Sequence, residues 1–447
     1  MTNQIIAEKA KRLTWTETSL WCAQVFLWAT LFCLPFSHFL VNQFVSASAL
    51  FVLISGHYKE KWHRLKQYKS ALWILLFVLL VGLSITYSTA PASKAFSIFN
   101  KYTKLLYILF LLQICQIDRC RKISLNILLC SITIGTILAF LYSIHLADYS
   151  FTAHWPKIFA IPGDDGLFVN PINFSVLLAF AIYFLLTRIF QNQLRALSIV
   201  LLLLLSVDLF YFNLERTGCL AALVLAYLAI FQYLFKNKIK FIVAILIAML
   251  ISVFIVFTST GFSSRLQKFV SEVQNYTTRI MPDNKLGINA PISVKESTPI
   301  SVNASLGSVG LRLEFIRGSL EIIKKRPWLG SGVGSFPTEY NLTGRALLPH
   351  TTELGDPHNA FLLLGVQIGI IGLLLFAVFM LMLLWDISRL PFNEKCMGYA
   401  LGILFVINSL FNATLINNTV GYLYVTVVAL LLSRLPRLKK DTPDVRP

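Results

Sequence analysis

Two arginines and a histidine carry the chemistry that this sequence offers. From Arg312 the chain reads RLEFIRGSLEIIKKRPWLGSGVGSF, and further on Asp356-Pro357-His358-Asn359 opens a long apolar run. Arg312 and Arg317 stand near the start of a helical pattern. Guanidinium is planar, permanently charged and offers a fork of donors that matches phosphate oxygens, and the free N–H groups of a helix start also favour an anion. A solvated helix face is the plainer alternative for both arginines. Pro357 biases Asp356 toward extended backbone, so the His358 imidazole sits where the apolar helix meets the bilayer surface. Its ordinary pKa of about 6.5 suits a general base near neutral pH, and a structural role is the alternative. A cation cluster beside a titratable imidazole at a membrane surface is equipment for handling a lipid-linked diphosphate.

Arg216, in NLERTGCLAALVLAYL, lies between two apolar runs. An arginine at the centre of the hydrocarbon costs about 2.5–3.5 kcal/mol on insertion scales, so it either snorkels to lipid phosphates or serves as an anion ligand in a cavity. Asp208, eight residues earlier, is a candidate structural partner for it. The glycines of WLGSGVGSF lack the GxxxxGK[ST] pattern and a preceding strand, and read as a turn joining two interfacial segments. Asp164 and Asp165 form an adjacent acidic pair with the oxygen ligands that divalent cations take, but no supporting ligand accompanies them. No metal and no cofactor is expected.

The elements that must position these residues are membrane helices. Of 447 residues 56% are hydrophobic and 13% charged, with a mean hydropathy of +0.69, whereas a soluble domain carries about 25% charged residues. The chain is therefore an all-α polytopic membrane protein. Its net charge of +18 first reports topology, since Lys and Arg concentrate in cytoplasmic loops; no nucleic-acid partner is implied. The first eighteen residues are polar and the apolar run from Ser19 is long enough to stay as an anchor. Six of seven cysteines lie in or beside apolar runs, Cys120 lies in DRCRK, and no disulfide framework or Cys/His metal spacing is predicted.

Runs of roughly 17–25 apolar residues predict about twelve spans, at 19–37, 38–55, 71–88, 102–117, 123–147, 172–187, 196–214, 217–235, 241–260, 359–385, 396–413 and 419–433. Basic short loops at the N-terminus, 59–69, 118–122, 188–195, 236–240 and 434–440 predict that both termini are cytoplasmic. The chain then divides into N-terminal spans one to nine over 1–260, a large periplasmic loop over 261–358, and three spans with a short tail over 359–447. Within the loop, 282–309 has no periodicity and reads as irregular. From Arg312 to Arg326, Leu313, Ile316, Leu320 and Ile323 mark one face of an amphipathic helix that Pro327 stops. Arg312, Glu314, Arg317, Glu321, Lys324 and Lys325 occupy the opposite surface. Such a helix lies along a membrane surface or packs on the tops of the bundle helices.

At these residues the chain resembles the O-antigen ligase and polymerase superfamily. The resemblance rests on Glu215-Arg216-Thr217-Gly218 opening a helix, on Arg312 followed by Arg326-Pro327-Trp328-Leu329-Gly330, on Pro357-His358-Asn359, and on Gly166-Leu167-Phe168-Val169-Asn170-Pro171. These elements cover about 165 to 375 in matching order. The resemblance implies a GT-C-type glycosyltransferase of the bacterial inner membrane with its active site facing the periplasm. It would transfer a glycan from undecaprenyl diphosphate to a sugar hydroxyl of lipid A–core, with inversion and without metal. Arg216 and Arg312 would hold the diphosphate and His358 would act as base. Arg317, Asn170 and Asn359 would add substrate contacts, with membrane lipid as the remaining partner. A polymerase acting on the growing O-antigen and a protein O-oligosaccharyltransferase share this site. The short segment after the last span and the basic loop, which suits a phosphate-bearing acceptor, favour the ligase. Twelve spans also suit a secondary transporter, but the longest loop follows span nine rather than span six and no internal repeat is visible.

Overall fold

The computed structural model describes residues 15–116, 118–143, 169–213, 215–258, 267–268, 270–274, 308–343 and 355–434. Asp164 and Asp165, His350, the basic N-terminal segment, nearly all of the 282–309 stretch and the tail beyond 434 lie outside the described residues. The described chain is helical, and no strand occurs in it. In order the helices are α1 (Trp15–Cys33), α2 (His38–Ile54), α3 (Tyr58–Leu65), α4 (Lys69–Leu83), α5 (Ala92–Tyr102), α6 (Tyr107–Leu111), α7 (Asp118–Ser143), α8 (Pro171–Phe190), α9 (Arg195–Val207), α10 (Arg216–Leu234), α11 (Lys238–Thr258), α12 (Ser308–Lys325), α13 (Phe336–Leu342), α14 (Ala360–Ser388), α15 (Phe392–Phe411) and α16 (Asn418–Leu432).

Eight of these, in several cases with an adjoining turn, are long and apolar enough to cross a membrane: α4, α7 to α11, α14 and α15. The chain is thus a polytopic all-α membrane protein. The remaining predicted spans take other forms. Helix α2 bends by 116° into α3, and α16 has only 15 residues. The 102–117 run is divided into a 3-10 turn at Thr103–Leu106 and the five-residue α6. The break surrounds Lys104, which is 2% exposed. Its Nζ donates to the Asn417 carbonyl at 2.7 Å and the Asn418 side chain at 3.2 Å. A lysine inside a bundle must be paired in this way, and the pairing fixes the 3-10 turn against the start of α16. Every residue of α16 after Asn418 is buried, which explains a helix apolar on all sides.

The basic loops meet at one end of the bundle, and several of their charges serve as internal ties. Arg64 donates to the Ser433 carbonyl at 2.7 Å, and Arg121 donates to the carbonyls of Cys115 and Gln116 at 3.0 and 3.1 Å. Arg434 pairs with Glu394. The fully buried Asp386 caps α4, accepting from the Lys69 and Ser70 amides at 3.2 and 2.9 Å. Cys115 and Cys120 are joined by a disulfide, which corrects the expectation that no disulfide framework is present. The turn between α6 and α7 brings their Cα atoms to 5.4 Å.

The opposite, distal end is organised by a break in α14. At Gly369 the backbone turns to φ 63°, ψ −164°, a conformation essentially restricted to glycine. A break inside a helix strands carbonyls below it and amides above it, and both sets must find partners. The glycine-rich segment after α12 supplies them. The Ser331 and Gly332 amides donate to the Val366 and Gln367 carbonyls, each at 2.8 Å. The Ile370 and Ile371 amides donate to the Pro327 and Trp328 carbonyls at 2.8 and 3.2 Å. On its other side the segment is held by the turn after α4: the Thr89 amide donates to the Ser331 carbonyl at 3.0 Å, and the Tyr87 hydroxyl to the Leu329 carbonyl at 3.0 Å. The glycines therefore do more than turn the chain; they let backbone enter the gap of a broken helix. A Cβ on Gly369 would meet the Trp328 carbonyl oxygen at 2.3 Å, and one on Gly332 the Ser88 Cα at 2.2 Å. Gly369→Ala is expected to lose about 2–5 kcal/mol from the left-handed backbone and the overlap together. Thermal inactivation in detergent, compared with Gly402→Ala, measures this; the latter glycine meets only the Leu384 side chain at 3.5 Å.

Candidate active site at the distal end of the bundle

Helix α12 does not sit as its apolar pattern suggests. The predicted stripe of Leu313, Ile316, Leu320 and Ile323 places Ile316 and Leu320 outward, 39% and 47% exposed. The buried face instead carries Val309, Glu314, Phe315, Gly318, Ser319 and Ile322. Two glycines cause the rotation. Gly318 admits the Tyr340 ring, which would lie 2.5 Å from a Cβ there, and Gly365 of α14 admits the Ile323 side chain, 2.7 Å from a Cβ. Glu314, assigned by sequence to the solvated surface, is 3% exposed. The anion expected at the helix start is one of the chain's own groups: Glu272 accepts from the Val309 amide at 2.9 Å.

Arg216 is the first residue of α10 and Glu215 its extended N-cap. The height of Arg216 is set by Gly218, whose missing side chain leaves room for Ser175 of α8; a Cβ would fall 2.3 Å from the Ser175 Cβ. Arg312, half-buried on α12, lies in the field of this helix start. Burial pushes its guanidinium below the ordinary range, the Arg216 guanidinium pushes it further in the same direction, and Glu215 opposes both. Two guanidinium groups that repel one another, only partly offset by a carboxylate, favour an incoming anion. Arg317 is half-buried and is not among the groups that act on Arg312. Asp208 does not partner Arg216. It lies in a π-helical turn, Asp208–Asn213, buried beside Thr136 of α7.

His358 precedes α14 with φ 52°, in the left-handed region, where a non-glycine residue is costly and is often functional. Asp356 holds this turn by accepting from the His358 amide at 2.8 Å. The imidazole Nδ1 is 3.6 Å from the same carboxylate oxygen, within ion-pair range and longer than a hydrogen bond. The other side of the ring faces Phe315, with centroids 6.1 Å apart, and Phe315 packs on Phe336 and Tyr340 at 6.2 and 5.4 Å. One turn of α12 therefore carries both Arg312 and the ring that seats His358. Asn359 and Asn170 are helix caps: Asn359 accepts from the Leu362 amide and Asn170 from the Ile172 amide, each at 2.9 Å. The Asn359 amide nitrogen also donates to the Leu410 carbonyl at 3.0 Å, tying α14 to the end of α15.

Helix lengths place these groups at one depth. The basic-end termini of α10, α14 and α15 adjoin one another, since Gln232 donates to the Cys396 carbonyl and Tyr233 to Asn393, and only three residues separate α14 from α15. At about 1.5 Å per residue, Arg216 lies roughly 27 Å from Leu234, and Leu410, the partner of Asn359, lies roughly 27 Å from Phe392. Ile371, the partner of Trp328, lies roughly 26 Å from Ser388. A hydrocarbon core is about 30 Å thick. Arg216, Leu410 and Ile371 thus lie at similar distances from the basic end, each near one hydrocarbon thickness, and Arg312 lies in the field of Arg216.

The aromatic seat of Phe315, Phe336 and Tyr340, the Asp356 turn and the backbone insertion at Gly369 escaped the sequence reading. Only the Asp-Pro dipeptide before His358 hinted at any of them. Residues 200–377 match the protein family described as O-antigen ligase. That stretch runs from α9 into α14 and contains Arg216, Arg312, Arg317, His358 and Asn359, while Asn170 precedes it. No curated protein matches the chain. The matched segment carries the two arginines, the histidine and the helices that hold them, and over these residues the chain is similar to the O-antigen ligase family.

Proposed function

We propose that the protein is an O-antigen ligase of the GT-C type. It takes a glycan from undecaprenyl diphosphate and transfers it to a sugar hydroxyl of lipid A–core at the periplasmic face of the bacterial inner membrane. The observation that carries this reading is the placement of Arg216 in the field of Arg312, on the helix whose Phe315 seats His358. In this scheme the acceptor oxygen attacks the anomeric carbon, the bond from that carbon to the diphosphate oxygen breaks, and configuration inverts. His358 takes the hydroxyl proton, and Asp356 holds the turn that presents the imidazole by accepting from the His358 amide. Negative charge accumulates on the leaving diphosphate, and fixed guanidinium groups stabilise that state more than the ground state. Arg216 and Arg312 supply those groups without metal, and Arg317 extends the cation surface. Asn170 and Asn359 contribute by fixing the chain ends that border the substrates. Twelve crossings result if α1, α2, the segment through α6 and α16 complete the eight apolar helices. The basic end is then cytoplasmic.

Deleting the gene and profiling lipopolysaccharide tests the assignment. Loss of all long chains with core intact is the expected result. Retention of core plus one repeat unit would instead assign the polymerase reaction, and an unchanged profile would reject both.

A further inference from the structure

Helix α12 has a second apolar face that none of the described residues covers. Ile316 and Leu320 point outward, and the turn that follows exposes Trp328 at 66% and Leu329 at 50%. Lys324, next in the same four-residue line, and its neighbours Lys325 and Arg326 are also exposed. We infer that α12 and the Trp328–Leu329 turn form an interfacial anchor, seated in the distal leaflet of an anionic phospholipid bilayer.

Depth supports this occupant. The Trp328 carbonyl is bonded to the Ile371 amide, which fixes the turn roughly 26 Å from the far end of α14, near one hydrocarbon thickness. In the middle of α12, Phe315 contacts His358, which precedes the Asn359 that is tied to Leu410 of α15 at a similar height. The C-terminal half of α12, from Phe315 to the Trp328 turn, therefore lies near the membrane boundary. Its inner face is occupied by Tyr340 and by α14 around Gly365, so Ile316 and Leu320 meet acyl chains. Tryptophan prefers the headgroup level, and three consecutive cations beside it complement lipid phosphates. The anchor holds Arg312 at constant height over the bundle and is independent of which glycan or acceptor is used.

The test is depth measurement on the full chain in vesicles of phosphatidylethanolamine and phosphatidylglycerol. With the native cysteines replaced, a nitroxide is placed at Leu320→Cys or Trp328→Cys. The expected ratio of relaxation by oxygen to relaxation by a water-soluble nickel chelate is several-fold higher than at Lys236→Cys, in the exposed loop after α10. Ratios at 320 and 328 equal to that at 236 would overturn the proposal. Changing Lys324, Lys325 and Arg326 together to Gln should lower the ratio at 328 at least twofold. An unchanged ratio would overturn the assignment of these cations to lipid phosphates.

Discussion

Transfer by the His358→Asn protein is expected to fall at least about 100-fold, the lower range of general-base contributions, with donor affinity unchanged. Asparagine is the informative replacement. His358 has φ 52°, and alanine there would add roughly 1–2 kcal/mol of backbone strain, mixing a folding defect with a catalytic one. Asparagine enters the left-handed region readily and keeps the turn that Asp356 closes onto the residue 358 amide, while removing a nitrogen able to take a proton. Asp356→Asn should cost less. It keeps an acceptor for the turn but removes the carboxylate 3.6 Å from Nδ1, so the rate should fall by less than in the His358→Asn protein. Single-turnover rates and donor affinities separate these effects. A His358→Asn protein with near wild-type turnover returns the residue to a structural role.

Arg312→Lys and Arg216→Lys should fail differently, losing donor affinity together with turnover. Charge survives in both, but the planar fork does not. A hydrogen bond to a charged group is worth about 1.5–3 kcal/mol, so either variant should bind a lipid diphosphate about 10- to 100-fold more weakly. The double variant should show less than the sum of the two losses, because each arginine lies in the other's field and the pair acts on one ligand. Full additivity in donor affinity would mean that the two do not share an anion.

Much of this site was legible before the fold. Spacing and hydropathy located Arg216 at a helix start, Pro327 at a helix stop and His358 at a helix mouth, because short-range rules govern all three. The orientation of α12 was not legible. Its apolar stripe is genuine, but Gly318 admits Tyr340 and Gly365 admits Ile323 of the stripe itself, and that packing leaves Ile316 and Leu320 outward, where lipid rather than protein is the apolar medium. Hydropathy cannot distinguish these two apolar environments. Hydropathy likewise did not show that the 102–117 run is broken around Lys104, which its partners at the start of α16 keep buried. The insertion at Gly369 depends on hydrogen bonds between segments some forty residues apart, and the glycines recorded only that something must approach closely.

The most direct test of the arginine and histidine account is a single-turnover reaction of purified protein in excess chelator. The donor is an undecaprenyl-diphosphate glycan and the acceptor is purified lipid A–core. The account predicts full transfer, with inverted configuration at the new linkage. Transfer abolished by chelator and restored by magnesium or manganese would contradict it, and would move the search for the charge that stabilises the leaving diphosphate from Arg216 and Arg312 to Asp164 and Asp165.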